Sequence, residues 1–134
     1  MTVYVSMLRA VNVGGTSVIK MDALRRVYES TGFSDVRTLL ASGNVVFRSR
    51  IKDREQLVKR IMQEIERQLG LHVEVIVRTL AEVETIVERG PLLSPRADKA
   101  KLHVMFLGAM PDAVAQATLA KWRSHSRLCP RARC

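Results

Sequence analysis

The chain has 134 residues, 47% of them apolar and 26% charged, which suits one ordinary globular domain or two small subdomains sharing a core. No apolar stretch approaches the roughly 20 residues needed to span a bilayer, and Met1-Thr2-Val3-Tyr4-Val5 has no basic leader or cleavage pattern, so a cytoplasmic location with no membrane partner is expected. The net charge of +9 is uneven: residues 1–120 hold 17 basic against 13 acidic side chains, or +4, and from Lys121 onward there are only basic ones, so the argument for nucleic acid from charge rests on the tail.

Thr2 to Leu8 reads as a strand, with Val3, Val5 and Met7 on one face and Thr2, Tyr4 and Ser6 on the other. A loop through Gly14-Gly15 follows. Met21, Leu24, Val27 and Tyr28 then recur at helical spacing, and Gly32 suits a helix end. Val36–Leu40 and Val45–Arg48 read as a hairpin around Ser42-Gly43-Asn44, because Gly and Asn tolerate positive φ. Asp53 with Gln56 suggests a capping box before a helix whose face is Leu57, Ile61, Ile65 and Leu69, ended by Gly70. Val73, Val75 and Val77 alternate as a strand. Residues 2–78 therefore read β-α-β-β-α-β, the ferredoxin-like order.

Thr79 and Glu82 form a second capping box, opening a helix with Leu80, Val83, Ile86 and Val87 that Gly90-Pro91 stops. Residues 92–100 read as a loop and Leu102–Leu107 as a fifth strand. Pro111 opens a last helix running to about Trp122. The expected fold is α+β: a ferredoxin-like subdomain at 1–78, an incomplete second α+β subdomain at 79–122, and an irregular basic tail at 123–134.

This order has a geometric consequence. The first and second strands run the same way, with the third reversed between them. The loop after strand one, the hairpin turn and the entry to strand four then share one end of the sheet. That end gathers Arg9, Asn12, Gly14, Gly15, Ser42, Gly43 and Asn44, with His72 at its margin. An arginine, two amides and glycine N–H groups suit an anionic or polar small molecule. A purely structural reading stands beside it, in which the glycines shape a loop, the Ser-Gly-Asn run is a hairpin turn and Arg9 pairs with a carboxylate. Gly14-Gly15-Thr16-Ser17-Val18-Ile19-Lys20 lacks the phosphate-loop spacing.

Catalytic groups are scarce, and the sequence leaves open whether any reaction is catalysed. His72, His103 and His125 fall on different elements, with His103 read as a structural residue of an apolar strand. Cys129 and Cys134 make neither a disulfide framework nor a metal-ligand spacing, and no cofactor is expected. Glu82, Glu84 and Glu88 read as a solvated helix face. RNA-binding sheets of this order stack bases on aromatics of the first and third strands, where this chain has Tyr4 and Phe47. Strand three lacks the basic-glycine-aromatic signature, so nucleic acid ranks below a small ligand, and Tyr4 is expected to be covered by the segment from 79 onward. A protein-interaction module is the third class of function.

The runs LRAVNVGG and ASGNVVF, with KMDALRRVYESTGF between them, resemble a bacterial family known as domain of unknown function 1697. Its members read L-R-G-I-N-V-G-G, an M-x-x-L-R helix ending in G-F, then Q-S-G-N-V-V-F; LHVMFL at 102–107 is similar to its H-V-x-F-L segment. The resemblance covers about residues 3–120 and falls on Arg9, Asn12, Gly14, Gly15, Ser42, Gly43 and Asn44. It implies a fold and carries no activity. Ala10 stands where the family has Gly, and Ala41 where it has Gln. From about residue 123 the family pattern is lost: this stretch has no helical or strand period, no acids, and many Arg, Ser, Pro and Cys residues. It reads as out-of-frame translation of a truncated or frameshifted member, with a natural basic tail for an acidic partner as the alternative.

Overall fold

The chain forms β1 (Thr2–Leu8), α1 (Met21–Ser30), β2 (Ser34–Leu39), β3 (Asn44–Ser49), α2 (Arg54–Leu69), β4 (Val75–Thr79), α3 (Leu80–Arg89) and α4 (Ala113–Lys121). The structure is a computed structural model and describes residues 1–15, 17–89, 95 and 103–121. Four strands pair in the order β2-β3-β1-β4, each antiparallel to its neighbour. This is the α+β arrangement that the β-α-β-β-α-β order demands. The chain divides into two units, Met1–Val83 and Glu84–Cys134.

In the first unit α1 and α2 cover one face of the sheet. Leu24, Val27 and Tyr28 of α1 and Leu57, Ile61 and Ile65 of α2 are buried at the helical spacings of three and four residues. Asp53 caps α2 by accepting the Gln56 N–H at 3.1 Å, and Gly70 closes it at φ +67°, donating its N–H to the Glu66 carbonyl at 2.9 Å. Gly32, at φ +91°, turns the chain out of α1.

The sheet meets these helices through Tyr4, Ser6 and Leu8 of β1, Val45 and Phe47 of β3, and Val75 and Val77 of β4. Phe47 is the centre of the core. It stacks on Tyr4 at 5.8 Å between ring centroids, meets Tyr28 edge-on at 5.2 Å and lies 4.7 Å from Phe33. Each such buried side chain stabilises the fold by about 1.5–3 kcal/mol relative to exposure. The polar atoms among them are paired: the Tyr4 hydroxyl donates to the Ile51 carbonyl at 2.9 Å, and the Ser6 and Tyr28 hydroxyls lie 2.8 Å apart. Burial pushes the Tyr28 phenol well above its ordinary range, against the pull of Ser6.

Tyr4 is therefore covered within its own unit, by the ring cluster and the helices. At 3% and 0% exposure, Tyr4 and Phe47 present no ring for stacking a base. The opposite face carries Val3, Val5 and Met7 of β1 beside Asn44, Val46 and Arg48 of β3, and holds no aromatic residue of these two strands.

The Thr79–Glu82 capping box opens α3 as expected. Glu82 accepts the Thr79 N–H at 2.7 Å, and Thr79 Oγ1 accepts the Glu82 N–H at 3.2 Å. Glu82 also pairs with Arg54 at 2.5 Å, which takes it out of the solvated face assigned to it with Glu84 and Glu88. Burial raises its carboxyl; the Thr79 N–H and the Arg54 guanidinium outweigh that and hold it below the usual range.

In the second unit, residues 103–107 are not in a strand, which corrects the reading of Leu102–Leu107 as a fifth one. An apolar run makes a strand only where a partner edge satisfies the backbone, and the sheet of the described residues is built from β2, β3, β1 and β4. His103 is exposed rather than enclosed in an apolar strand. Asp112 caps α4 by accepting the Ala115 N–H at 2.7 Å, so Pro111 precedes the cap instead of opening the helix. Lys101, Leu102, most of the 92–100 loop, Trp122, His125 and the whole 123–134 tail with both cysteines lie outside the described residues. No helix among the described residues is long and apolar enough to cross a membrane.

Candidate functional site

Three chain segments converge where β1 ends. The Leu8 N–H donates to the Gly43 carbonyl at 3.2 Å, tying β1 to the hairpin turn, and the Arg9 N–H donates to the Glu74 carbonyl at 2.9 Å, tying it to the entry of β4. All seven candidate residues stand on the first two of these segments. The structure brings them to one end of the sheet, as the strand order requires.

Asn12 holds this end together. Its Oδ1 accepts the Ile19 N–H at 2.8 Å, while its Nδ2 donates to the Ile19 carbonyl at 2.9 Å and to the Ala41 carbonyl at 2.6 Å. Its own N–H reaches the Ser17 carbonyl at 3.1 Å. One amide thus closes the 9–20 loop on itself and locks it to the hairpin. Val11 and Ile19 are buried beneath it. Ala41 takes part through its backbone carbonyl, so a different side chain at that position leaves the clamp intact.

Gly43 is also committed to structure. It sits at φ +81°, and a Cβ there would lie 2.5 Å from Val11 Cγ2 and 3.0 Å from Leu8 Cβ. Gly14 and Gly15, at φ +64° and +76°, have open space around them and are required for conformation alone. Asn44 Nδ2 donates to Ser42 Oγ at 3.1 Å across the turn. Arg9 pairs with Glu74 at 2.9 Å, with both side chains mostly in solvent. Such an exposed pair contributes little to stability. His72 lies 3.9 Å from Glu66 and joins α2, not the loop cluster.

Left-handed backbone concentrates here. Ala10, Asn12, Ser17 and Leu40 have φ between 50° and 58°, alongside Gly14, Gly15 and Gly43. Asn accepts this region; Ala and Leu pay about 1–2 kcal/mol for it. The Gly that the family carries at position 10 thereby has a physical reason. Ala10→Gly removes that cost and adds back about 0.5–1 kcal/mol of unfolded-chain entropy. It is expected to raise stability by about 0.5–1 kcal/mol, read as a higher urea midpoint with an unchanged slope.

The sequence reading missed the apolar side chains at this end. Val13, Val18 and Leu39 are well exposed, and Leu40 is 80% exposed at its strained position. Leu40 falls inside the strand expected over Val36–Leu40, where alternation alone turns it to one face or the other, whereas β2 ends at Leu39. Its departure from the strand is set by the hairpin turn and carries no composition signal. Among the described residues no His, Cys, Asp or Glu cluster gathers in a metal-binding group.

Comparison with known proteins agrees with the fold. The structure described as "conserved bacterial protein SP0830 from Streptococcus pneumoniae" is similar at a TM-score of 0.61 and 27% sequence identity, over 72% of this chain and 53% of that one. The present chain thus spans about half of that protein's length. No curated protein matches it. The family described as "Protein of unknown function (DUF1697)" matches residues 1–129, nearly the whole sequence and both motif runs that frame the clamped loops. The chain belongs to the DUF1697 family.

Proposed function

We propose that this chain is a binding module whose recognition surface is the loop end of the sheet, and that its partner is a protein segment offering a carboxylate beside apolar side chains. The observation that carries this reading is Leu40. It is a bulky apolar residue in left-handed backbone, 80% exposed, and neither property helps the fold. Backbone strain that persists beside exposed apolar surface is characteristic of recognition sites. The Asn12 clamp beneath it makes the surface rigid, which lowers the entropy lost on binding. Arg9 supplies the charged contact by exchanging Glu74 for the partner's carboxylate. Val13 and Leu40 supply apolar area, and the Gly14, Gly15 and Ser42 backbone and hydroxyl groups supply hydrogen bonds. Asn12, Gly43 and Asn44 act as the support.

A second reading keeps the same residues for a free polar or anionic small molecule, and the exposed Arg9 favours it. The high exposure of the apolar residues ranks it second, because small-ligand sites are concave and enclose most of their ligand.

The test uses Arg9→Gln and Leu40→Gly. Leu40→Gly relieves the strained backbone, so stability is expected to hold or rise by up to about 1 kcal/mol. Peptides selected from a display library on the unmodified chain are expected to carry an acidic residue next to apolar ones. Their binding should weaken about tenfold or more in each variant. Peptides that bind Leu40→Gly equally well would sink the reading. A rise in melting temperature with free aspartate or phosphate, lost in Arg9→Gln alone, would establish the small-ligand reading instead.

A further inference from the structure

The opposite end of the sheet, marked by the Thr2–Ser49 pair, holds a cavity of about 370 Å³. It opens where α1 ends, β3 leaves the sheet and α2 passes. Phe33 and Ile51 supply apolar lining. Ser49 is 3% exposed, and its Oγ accepts the Ile51 N–H at 3.1 Å, which leaves its own O–H to donate. The charged side chains of the lining are both arginines, Arg50 and Arg60, and Met1 lies beside them.

The two arginines differ in their commitments. Arg60 Nη2 donates to the Thr31 carbonyl at 3.1 Å, at the C-terminal cap of α1. That helix end carries about half a negative charge, which Arg60 offsets. Arg50 is exposed and makes none of the ion pairs among the described residues. Two full positive charges against half a negative one leave the cavity electropositive. Its volume lies at the small end of the roughly 300–1,000 Å³ range of ligand pockets, the size of a single ring with its substituents.

We propose that this cavity binds a small anion with an apolar body: a phosphate or carboxylate group on one ring or a short aliphatic chain. Arg50 is the principal charge contact, Arg60 and the Ser49 hydroxyl are supporting donors, and Phe33 and Ile51 pack on the apolar part. Guanidinium groups pair with either anion through two parallel N–H bonds. The site is independent of the loop-end surface, from which the length of β1 separates it.

The experiment is an amide chemical-shift titration of the full chain with phenyl phosphate, benzoate and inorganic phosphate. The first two should shift the amides of Gly32, Phe33 and Ile51, with inorganic phosphate about tenfold weaker because it has no apolar part. Arg50→Gln alters an exposed side chain and should fold normally while weakening phenyl phosphate about tenfold. Arg60→Gln should weaken binding too; because it also uncaps α1, its melting temperature is measured alongside. Unchanged binding in Arg50→Gln overturns the proposal, as do shifts confined to the loop end or none up to ~20 mM, a range that captures even weak sites. Equal affinity for inorganic and phenyl phosphate overturns the assignment of the apolar contacts.

Discussion

Asn12→Asp is expected to destabilise the first unit by about 3 kcal/mol at neutral pH, the largest effect of any isosteric change at the loop end. The substitution keeps the acceptor for the Ile19 N–H. It replaces the donor that serves the Ile19 and Ala41 carbonyls at 2.9 and 2.6 Å with a carboxylate oxygen. Two hydrogen bonds are lost, and a negative charge faces two carbonyl dipoles. For a unit of this size the loss corresponds to a melting temperature lower by roughly 12–24 °C. The pH dependence has a definite sign. The folded state disfavours the charged carboxyl, so its folded pKa lies above the unfolded value of about 3.9. Stability is then greatest below that unfolded value and is lost as pH rises through the folded one. Protonation returns one O–H donor, so part of the destabilisation should vanish in acid. Asn12→Gly separates the amide from the backbone, since it keeps φ 56° accessible while losing all three side-chain bonds. If Asn12→Asp melts within a degree or two of the unmodified chain at neutral pH, the clamp does not exist as described.

The role of Asn12 also shows where sequence reasoning stops. Its position after β1 follows from strand alternation, and its tolerance of positive φ is a property of asparagine. Its partner Ala41 lies 29 residues away and contributes only a carbonyl, which every residue has. No pattern in side chains marks such a contact. The strand order was legible because each element declares itself locally: Leu57, Ile61 and Ile65 by helical period, the Ser42-Gly43-Asn44 turn by its backbone tolerance. The choice of buried face on β1 was not. Val3, Val5 and Met7 form the more uniformly apolar side, yet Tyr4, Ser6 and Leu8 face the helices. Volume decides this, because the space under α1 is filled by the Tyr4, Phe47 and Tyr28 rings, and Ser6 is admitted by pairing with the Tyr28 hydroxyl. Residues 103–107 show the same limit from the other side: the run from Val104 to Leu107 is wholly apolar, but a strand is a property of two segments. The gathering of the loop-end residues at one end of the sheet follows from strand order alone. Their division into clamp and outward surface follows from backbone contacts such as Asn12 to Ala41, which no side-chain pattern marks.

Gly43→Ala separates packing from backbone conformation at this same end, and it should cost about 3 kcal/mol. Two effects add. An alanine at φ +81° carries the left-handed penalty of about 1–2 kcal/mol. Its Cβ also falls 2.5 Å from Val11 Cγ2 and 3.0 Å from Leu8 Cβ, both on buried side chains. Val11 cannot retreat without disturbing the core, and Leu8 cannot without lengthening its 3.2 Å bond to the Gly43 carbonyl. Overpacking of this kind typically adds 1–3 kcal/mol, by the general cost of forcing extra volume into a filled core. Gly14→Ala is the internal control: its φ of +64° is similar, but nothing lies within 4 Å of the added Cβ. It should cost only the backbone part, about 1 kcal/mol. The difference between the two variants, measured as urea midpoints, isolates the contact with Val11 and Leu8. Combining Gly43→Ala with Val11→Ala removes the methyl group that clashes. The pair should be less destabilised than the sum of the single changes, by about 1 kcal/mol. Additive losses would mean that the hairpin turn moves as a body to admit the methyl group. The surface presented by Leu40, three residues before, would then be adjustable rather than fixed.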